Sequence, residues 1–125
     1  MKKSILLVDD KPEIAKIITL YLSGYEVKYV ENPLIAIAWL TSGNIPDLIV
    51  SDINMPEMTG EEFLVYLKDN EMFKRIPVFI LSSVDDSDTR IRLYETGAAD
   101  FILKPFNPEE LKIRISRALS LSAEL

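Results

Sequence analysis

Short aliphatic runs alternate with helix-like stretches five times along the chain. Ile5-Leu6-Leu7-Val8 is a continuous apolar run of the kind a strand buried on both faces requires, and it stops at Asp9-Asp10. Lys11-Pro12-Glu13 then opens a helix: proline suits the first turn, and the glutamate complements the positive end of the dipole. Ile14, Ile17, Ile18, Tyr21 and Leu22 fall on one predicted helical face, and Gly24 ends it. Tyr25 to Val30 reads as a second strand. Asn32-Pro33 caps a second helix through Ala36, Trp39 and Leu40, which Gly43-Asn44 and Pro46 break.

The pattern continues to the end of the chain. Leu48-Ile49-Val50 is a third strand ending at Asp52. Thr59 and Glu62 have the spacing of a capping box for a helix carrying Phe63, Leu64 and Leu67. Pro77 to Leu81 is a fourth strand, a helix lies between Asp86 and Thr96 with Gly97 closing it, and Phe101-Ile102-Leu103 is a fifth strand. Asn107-Pro108-Glu109-Glu110 opens a last helix with Leu111, Ile115 and Leu119 on one face. After Ala118 the chain either completes this helix or begins a linker. Near-continuous aliphatic strands separated by helices predict an α/β fold: a doubly wound, five-stranded parallel sheet with right-handed crossovers and five helices. Periodicity leaves the strand order open. No internal repeat or interdomain linker interrupts residues 1–125, which read as a single domain.

Composition narrows the chemistry. With 125 residues, 48% hydrophobic and 27% charged, the chain has the profile of one folded domain. Twenty acidic against 14 basic residues leave a net charge of −6, which argues against a broad nucleic-acid-binding face. There is no cysteine and no histidine. Disulfides, thiolate zinc sites, a cysteine nucleophile and a phosphohistidine on this chain are thereby excluded. Chemistry rests on carboxylates, hydroxyls, lysine and backbone. No apolar run has the ~20 residues of a membrane span or the form of a signal peptide, so a cytoplasmic location is expected.

In an open parallel sheet, ligands bind beyond the carboxyl ends of the strands. At those ends stand Asp9-Asp10, Ser51-Asp52, Ser82-Ser83 and Lys104-Pro105. Three carboxylates, a hydroxyl pair and an ammonium are therefore expected along one edge. If strands one and three are neighbours, about 4.8 Å apart, then Asp9, Asp10 and Asp52 can share one hard cation. Mg2+ suits oxygen ligands of this kind and keeps sites for waters and a phosphate. Lys104 adds a positive charge for a phosphoryl oxygen, and Asp52 is the natural nucleophile for an acyl phosphate. Taken singly, each feature has an ordinary reading. Asp9-Asp10 and Ser82-Ser83 can be caps, Lys104 a solvated surface lysine, and Met55 and Met58 loop packing. Trp39 and the tyrosines read as core or half-buried aromatics.

Four motifs in order, Leu7-Val8-Asp9-Asp10, Asp52-Ile53-Asn54-Met55-Pro56 with Gly60, Leu81-Ser82, and Asp100-Phe101-Ile102-Leu103-Lys104-Pro105-Phe106, resemble bacterial response-regulator receiver domains over essentially all the chain. The resemblance implies the flavodoxin-like strand order 2-1-3-4-5. It implies Asp52 as phosphoacceptor, with Mg2+ held most directly by Asp10, by Asp9 through water, by the Asn54 main-chain oxygen, and with Asp52 also among its ligands. It further implies Ser82 as the hydroxyl that turns to the phosphoryl group, Phe101 as the aromatic that moves inward with it, and Lys104 as the phosphate-contacting lysine. A cis bond before Pro105 is also expected, and Gly60 matches the glycine that lets the loop after the acceptor turn.

The function so implied is a phosphoryl-accepting signalling switch rather than an enzyme acting on a separate substrate, although the domain assists its own phosphorylation and dephosphorylation. Its donor would be a histidine kinase or phosphotransfer protein, and a homodimer through helix 4, strand 5 and helix 5 is a further implied partner. Arg90, Arg92, Glu95, Asp100, Lys112 and Arg114 supply mixed charge there. Neither nucleic acid nor membrane is an expected partner. Two positions depart from the pattern: Phe101 has no hydroxyl where tyrosine is frequent, and Ser83 replaces the usual alanine. An aspartate-nucleophile phosphatase of the haloacid-dehalogenase type would need an acid two residues after its nucleophile, where Asn54 or Pro12 stands. A degenerate docking scaffold would lack an acidic residue or the lysine, and all are present.

Overall fold

The computed structural model describes residues 2–124. Its elements run β1 (Ser4–Val8), α1 (Pro12–Tyr21), β2 (Glu26–Val30), α2 (Pro33–Thr41), β3 (Leu48–Asp52), α3 (Gly60–Lys68), β4 (Val78–Ser82), α4 (Ser87–Thr96), β5 (Asp100–Leu103) and α5 (Pro108–Glu124). All pairings are parallel, in the order β2-β1-β3-β4-β5. The aliphatic runs have the burial their composition predicts: every residue of β3 and β4 is buried. β2 alternates because it is an edge strand, with only Val30 fully buried.

Successive strand side chains point to opposite faces, so the sheet divides the core in two. Leu6, Val8, Ile49, Val78, Ile80 and Phe101 face one layer, with Ala36, Leu40, Phe63, Leu64, Leu67 and Leu93 from α2, α3 and α4. Ile5, Leu7, Leu48, Val50, Phe79, Leu81 and Ile102 face the other. There they meet Ala15, Ile18 and Leu22 from α1 and the turn after it, and Leu111, Ile115 and Leu119 from α5. The register sets Val8 opposite Ser51 and Ser82 opposite Leu103, which brings the polar strand ends level with one another.

The local signals act as expected at most boundaries. Asn32 accepts the Ile35 N–H, and Thr59 and Glu62 form both bonds of a capping box. Gly97 takes φ +122° where α4 closes. The last helix continues through Ser120–Glu124 with no linker; Leu125 lies outside the described residues. Two expectations need correction. α1 ends at Tyr21 with Leu22 as its cap, and Gly24 does not adopt a positive φ; the Tyr25 N–H bonds the Leu22 carbonyl and closes the turn. The predicted apolar face of α1 is also too wide. Ile17 and Tyr21 are 43% and 39% exposed, because the sheet covers only the stripe through Ala15, Ile18 and Leu22. No helix among the described residues is long and apolar enough to cross a membrane.

Candidate functional site at the carboxyl edge of the sheet

Beyond the ends of β1, β3 and β5 the alternation of side chains brings Asp9, Asp52 and Lys104 to one point. Asp9 is fully buried. Its Oδ1 accepts the Lys11 N–H at 2.8 Å, its Oδ2 accepts from Lys104 Nζ at 3.3 Å, and its carbonyl accepts from the Tyr29 hydroxyl at 2.7 Å. Asp52, 3% exposed, closes β3. Its Oδ1 accepts from the Ile53 N–H at 3.0 Å and from Lys104 Nζ at 3.2 Å. Its Oδ2 is buried with no hydrogen-bond partner among the described residues. Asp10 stands at the solvent side of the cluster, and one oxygen from each of Asp9, Asp10 and Asp52 lies within 4.8 Å of the others. Such an all-oxygen set with an unsatisfied buried oxygen fits a hard divalent cation. Asn54 is exposed on the loop that follows.

Burial pushes the Asp9 carboxyl above the ordinary value near 3.8, against the pull of the Lys11 N–H and the Lys104 charge and with the help of the Asp52 charge. A folded-state value above the unfolded one means that the ionised Asp9 costs stability at neutral pH. As pH falls through the folded value towards the unfolded one, the folded protein binds more protons and this cost disappears. Asp9→Asn in chelator should therefore melt a few degrees above wild type at pH 7, with the gap narrowing on acidification. Thermal melts at pH 7 and pH 5 decide it; a variant that melts lower at pH 7 contradicts this account. Burial also raises the Tyr29 hydroxyl, helped by the charge of Asp9, and keeps it a donor.

The hydroxyl pair expected at the edge is not a pair. Ser82 is buried, while Ser83 is exposed, since neighbouring residues at the end of β4 point opposite ways. Ser82 lies on the α2–α4 side of the sheet, and its Oγ donates to the Val84 carbonyl and accepts the Val84 N–H, at 3.0 and 3.1 Å. It thus pins the loop into α4. Phe101 is on the same side, 7% exposed, with the Arg90 guanidinium 6.0 Å from its ring centre. Asp85, on the loop pinned by Ser82, pairs with Arg90. Asn54, Ser82 and Val84 line a groove of about 230 Å3 at the carboxyl edge of the sheet.

Gly60 is required by contact rather than by dihedral. It is absent from the positive-φ residues, but a Cβ there would lie 2.2 Å from the Asp52 carbonyl oxygen and 2.8 Å from Ile53 Cα. The loop's unusual φ, +74°, falls instead on Glu57. The Lys104–Pro105 peptide is cis. The expected mixed-charge face also divides: Arg92 turns to α3, where it makes a two-pronged pair with Glu61, so it does not belong to the α4–β5–α5 surface. Asp100 and Arg114 do meet there.

Pattern reasoning gives no role at this edge to Lys11, Tyr29 or the Asp85–Arg90 contact. Lys11 was read only as a helix start, yet its ammonium lies 3.9 Å from Asp52 Oδ2. Its position immediately after Asp9-Asp10 was the available signal. Tyr29 and the Asp85–Arg90 pair carried none, because each depends on contacts across elements.

Comparison with known proteins agrees with this architecture. The response regulator receiver domain family model matches residues 5–116. The chain is 38% identical, over 94% of its length, to the phosphate regulon transcriptional regulatory protein PhoB of Pseudomonas aeruginosa, of which it spans 52%. It is 34% identical, over 96% of its length, to hybrid signal transduction histidine kinase D of Dictyostelium discoideum, of which it spans 8%. The chain thus spans about half or less of these curated relatives. Among solved structures, the receiver domain of a signal transduction histidine kinase from Syntrophus aciditrophicus superposes with a TM-score of 0.86 at 38% identity, covering 94% of this chain and 90% of that one. The chemotaxis response regulator CheY4 of Vibrio cholerae superposes with a TM-score of 0.85 at 31% identity, covering 94% and 98%. The chain belongs to the response regulator receiver domains, the phosphoryl-accepting signalling switches of two-component systems.

Proposed function

We propose that Asp52 is the phosphoacceptor, that Asp9, Asp10, Asp52 and the Asn54 main-chain oxygen hold Mg2+, and that the donor is a phosphohistidine on a histidine kinase or phosphotransfer protein. On this reading residues 1–125 form a single receiver domain that works in the cytoplasm. The observation that carries it is Asp52 Oδ2: a buried carboxylate oxygen with no hydrogen bond, whose partner oxygen is already held by the Ile53 N–H and Lys104.

The Asp52 carboxylate attacks phosphorus, the phosphorus–nitrogen bond breaks, and the imidazole leaves with the electron pair and takes a proton. A magnesium ion held by Asp9, Asp10, Asp52 and the Asn54 main-chain oxygen would supply charge neutralisation for the phosphoryl oxygens. Lys104, shared in the resting protein between Asp9 and Asp52, keeps Asp9 as partner while Asp52 becomes an ester-like acyl oxygen, and its freed donor turns to a phosphoryl oxygen. Ser82 reaches the phosphoryl group only by releasing the Val84 backbone. That release loosens Asp85, and with it the Arg90 side chain over Phe101. The Ser82-to-Phe101 path is thus a chain of contacts across the β4–α4 loop. The protein should take up one phosphoryl group from acetyl phosphate in magnesium buffer and none in chelator, read by intact mass spectrometry. Equal uptake in both would remove the metal from the mechanism.

The α4–β5–α5 face offers Ile91, Tyr94 and Ile113, which are 55%, 43% and 58% exposed, around the Asp100–Arg114 pair. It suits a homodimer or a partner contact, with apolar anchors inside a charged rim. Sedimentation with and without beryllofluoride tests the homodimer; an unchanged monomer rejects it.

The lifetime of the acyl phosphate is set by how well a water is oriented in line with the Asp52–phosphorus bond. Asn54 can hydrogen-bond such a water, whereas Val84, 58% exposed on the same groove, can only shield it. Loss of phosphate should therefore take minutes or longer. Val84→Glu should speed it ~10-fold, the effect of about 1.4 kcal/mol in the transition state. Phosphate release from both purified phosphoproteins measures this, and identical rates would contradict it.

A further inference from the structure

The acidic cluster contains a cation that phosphoryl transfer does not account for. Three carboxylates, Asp9, Asp10 and Asp52, face two ammoniums. Lys104 is committed: its side chain is only 12% exposed, and it bonds Asp9 Oδ2 and Asp52 Oδ1. Lys11 is held differently. Its backbone N–H is fixed on Asp9 Oδ1, so the residue is anchored at the mouth of the cluster, yet its side chain is 56% exposed. Its Nζ lies 3.8 Å from Asp10 Oδ1 and 3.9 Å from Asp52 Oδ2. Both distances are too long for hydrogen bonds and short enough for charge neutralisation.

These are the oxygens that no other group has taken. Asp9 has given both of its oxygens to Lys11 N–H and Lys104, whereas Asp52 Oδ2 is buried and unpartnered. A cation shared by Asp10 and Asp52 must bind where the Lys11 ammonium now hovers. The charge count points the same way. Three negative charges against two positive ones leave the resting cluster one short of neutrality. A divalent ion with Lys104 alone balances the three carboxylates, while a divalent ion with both lysines leaves an excess positive charge. An exposed lysine in such a loose pair withdraws into water at little cost.

We infer that Lys11 is a tethered counterion: it neutralises the open oxygens of Asp10 and Asp52 in the metal-free protein and must be displaced when a divalent cation enters, so its charge tunes metal affinity. This rests on the reading of the cluster as a divalent-cation site. Lys11 acts here as a positioning residue for charge and not as a metal ligand.

The test is calorimetric titration of the whole chain with MgCl2, with MnCl2 followed by electron paramagnetic resonance as a second reading. It compares wild type, Lys11→Met, Lys11→Arg and Asp10→Asn. Lys11→Met should bind Mg2+ about three- to tenfold more tightly; the upper figure is the repulsion of a double and a single charge several ångströms apart in water-like surroundings. Lys11→Arg should stay near wild type, and Asp10→Asn should bind more weakly. Melting adds an independent reading, since Mg2+ should raise the melting temperature more in Lys11→Met than in wild type. Equal or weaker binding by Lys11→Met, with Asp10→Asn weakened, overturns the role of Lys11 alone. Binding by Lys11→Arg as tight as by Lys11→Met rules out charge as the cause. Wild type without saturable Mg2+ binding overturns the site reading itself.

Discussion

Asp52→Asn, incubated with acetyl phosphate and magnesium, will take up no phosphoryl group under conditions in which the wild type takes up one. The neighbouring carboxylates cannot replace Asp52 easily. Asp9 is fully buried with both oxygens hydrogen-bonded, and Asp10 stands at the exposed side of the cluster. An amide at position 52 has lost the anionic nucleophile but keeps the shape and an oxygen for the Ile53 N–H. Loss of uptake should therefore come without loss of fold. With the shape and this bond kept, the melting temperature should stay near wild type in chelator. Intact mass spectrometry and a thermal melt on the same samples decide both halves. Equal incorporation in the variant would refute Asp52 as acceptor, and an unfolded variant would refute the claim that the amide fits the site.

Gly60→Ala will destabilise the protein by at least about 3 kcal/mol, on the order of 10 °C in melting temperature. The argument is geometric. The added Cβ would stand 2.2 Å from the Asp52 carbonyl oxygen and 3.0 Å from its carbonyl carbon, both backbone atoms that have no rotamer to escape through. The Gly60 N–H also donates to the Ile53 carbonyl at 2.7 Å, so the first turn of α3 is tied directly to the segment that carries Asp52. Relief requires α3 to move away from β3, breaking this bond and the packing of Phe63 and Leu64 behind it. Phosphoryl uptake should fall along with stability, because the displaced backbone is that of Asp52, the proposed acceptor. Gly97→Ala is a useful contrast. Its obstacle is the flexible Lys68 side chain at 3.2 to 3.3 Å, though its φ of +122° adds strain. Chemical denaturation of both variants ranks the two causes; a Gly60→Ala protein as stable as wild type would show that the loop relaxes without moving the helix.

The helix boundaries show how far local chemistry reaches. The Thr59–Glu62 capping box, the Asn32 cap and the Gly97 terminus involve residues within a few positions of each other, and all three appear where the residues predict. α1 is the instructive exception. Its sequence permits a broad apolar stripe, but which part of that stripe is buried depends on where the helix lies against Leu7, Val50 and α5. Gly24 likewise advertises a helix end, yet Leu22 already caps the helix and the turn closes without a left-handed residue.

Residue type and place along the chain were enough to predict that Asp9, Asp10, Asp52 and Lys104 gather at one edge, because buried aliphatic strands must end in polar residues at the edge where α/β sheets bind ligands. How these residues associate was decided only by strand order and side-chain parity. β1 beside β3 sets Asp9 next to Asp52, and both lie within reach of Lys104, which is 95 and 52 positions from them along the chain. Parity at the end of β4 turns Ser82 to the α2–α4 side and leaves Ser83 in solvent. The same long-range packing swings Arg92 to Glu61, 31 residues away, and holds the Lys11 ammonium over Asp52 Oδ2, a buried oxygen with no hydrogen-bond partner among the described residues. Burial, and with it the raised Asp9 carboxyl, exists only once the helices cover both faces of the sheet, because desolvation is a property of the surroundings and not of the residue.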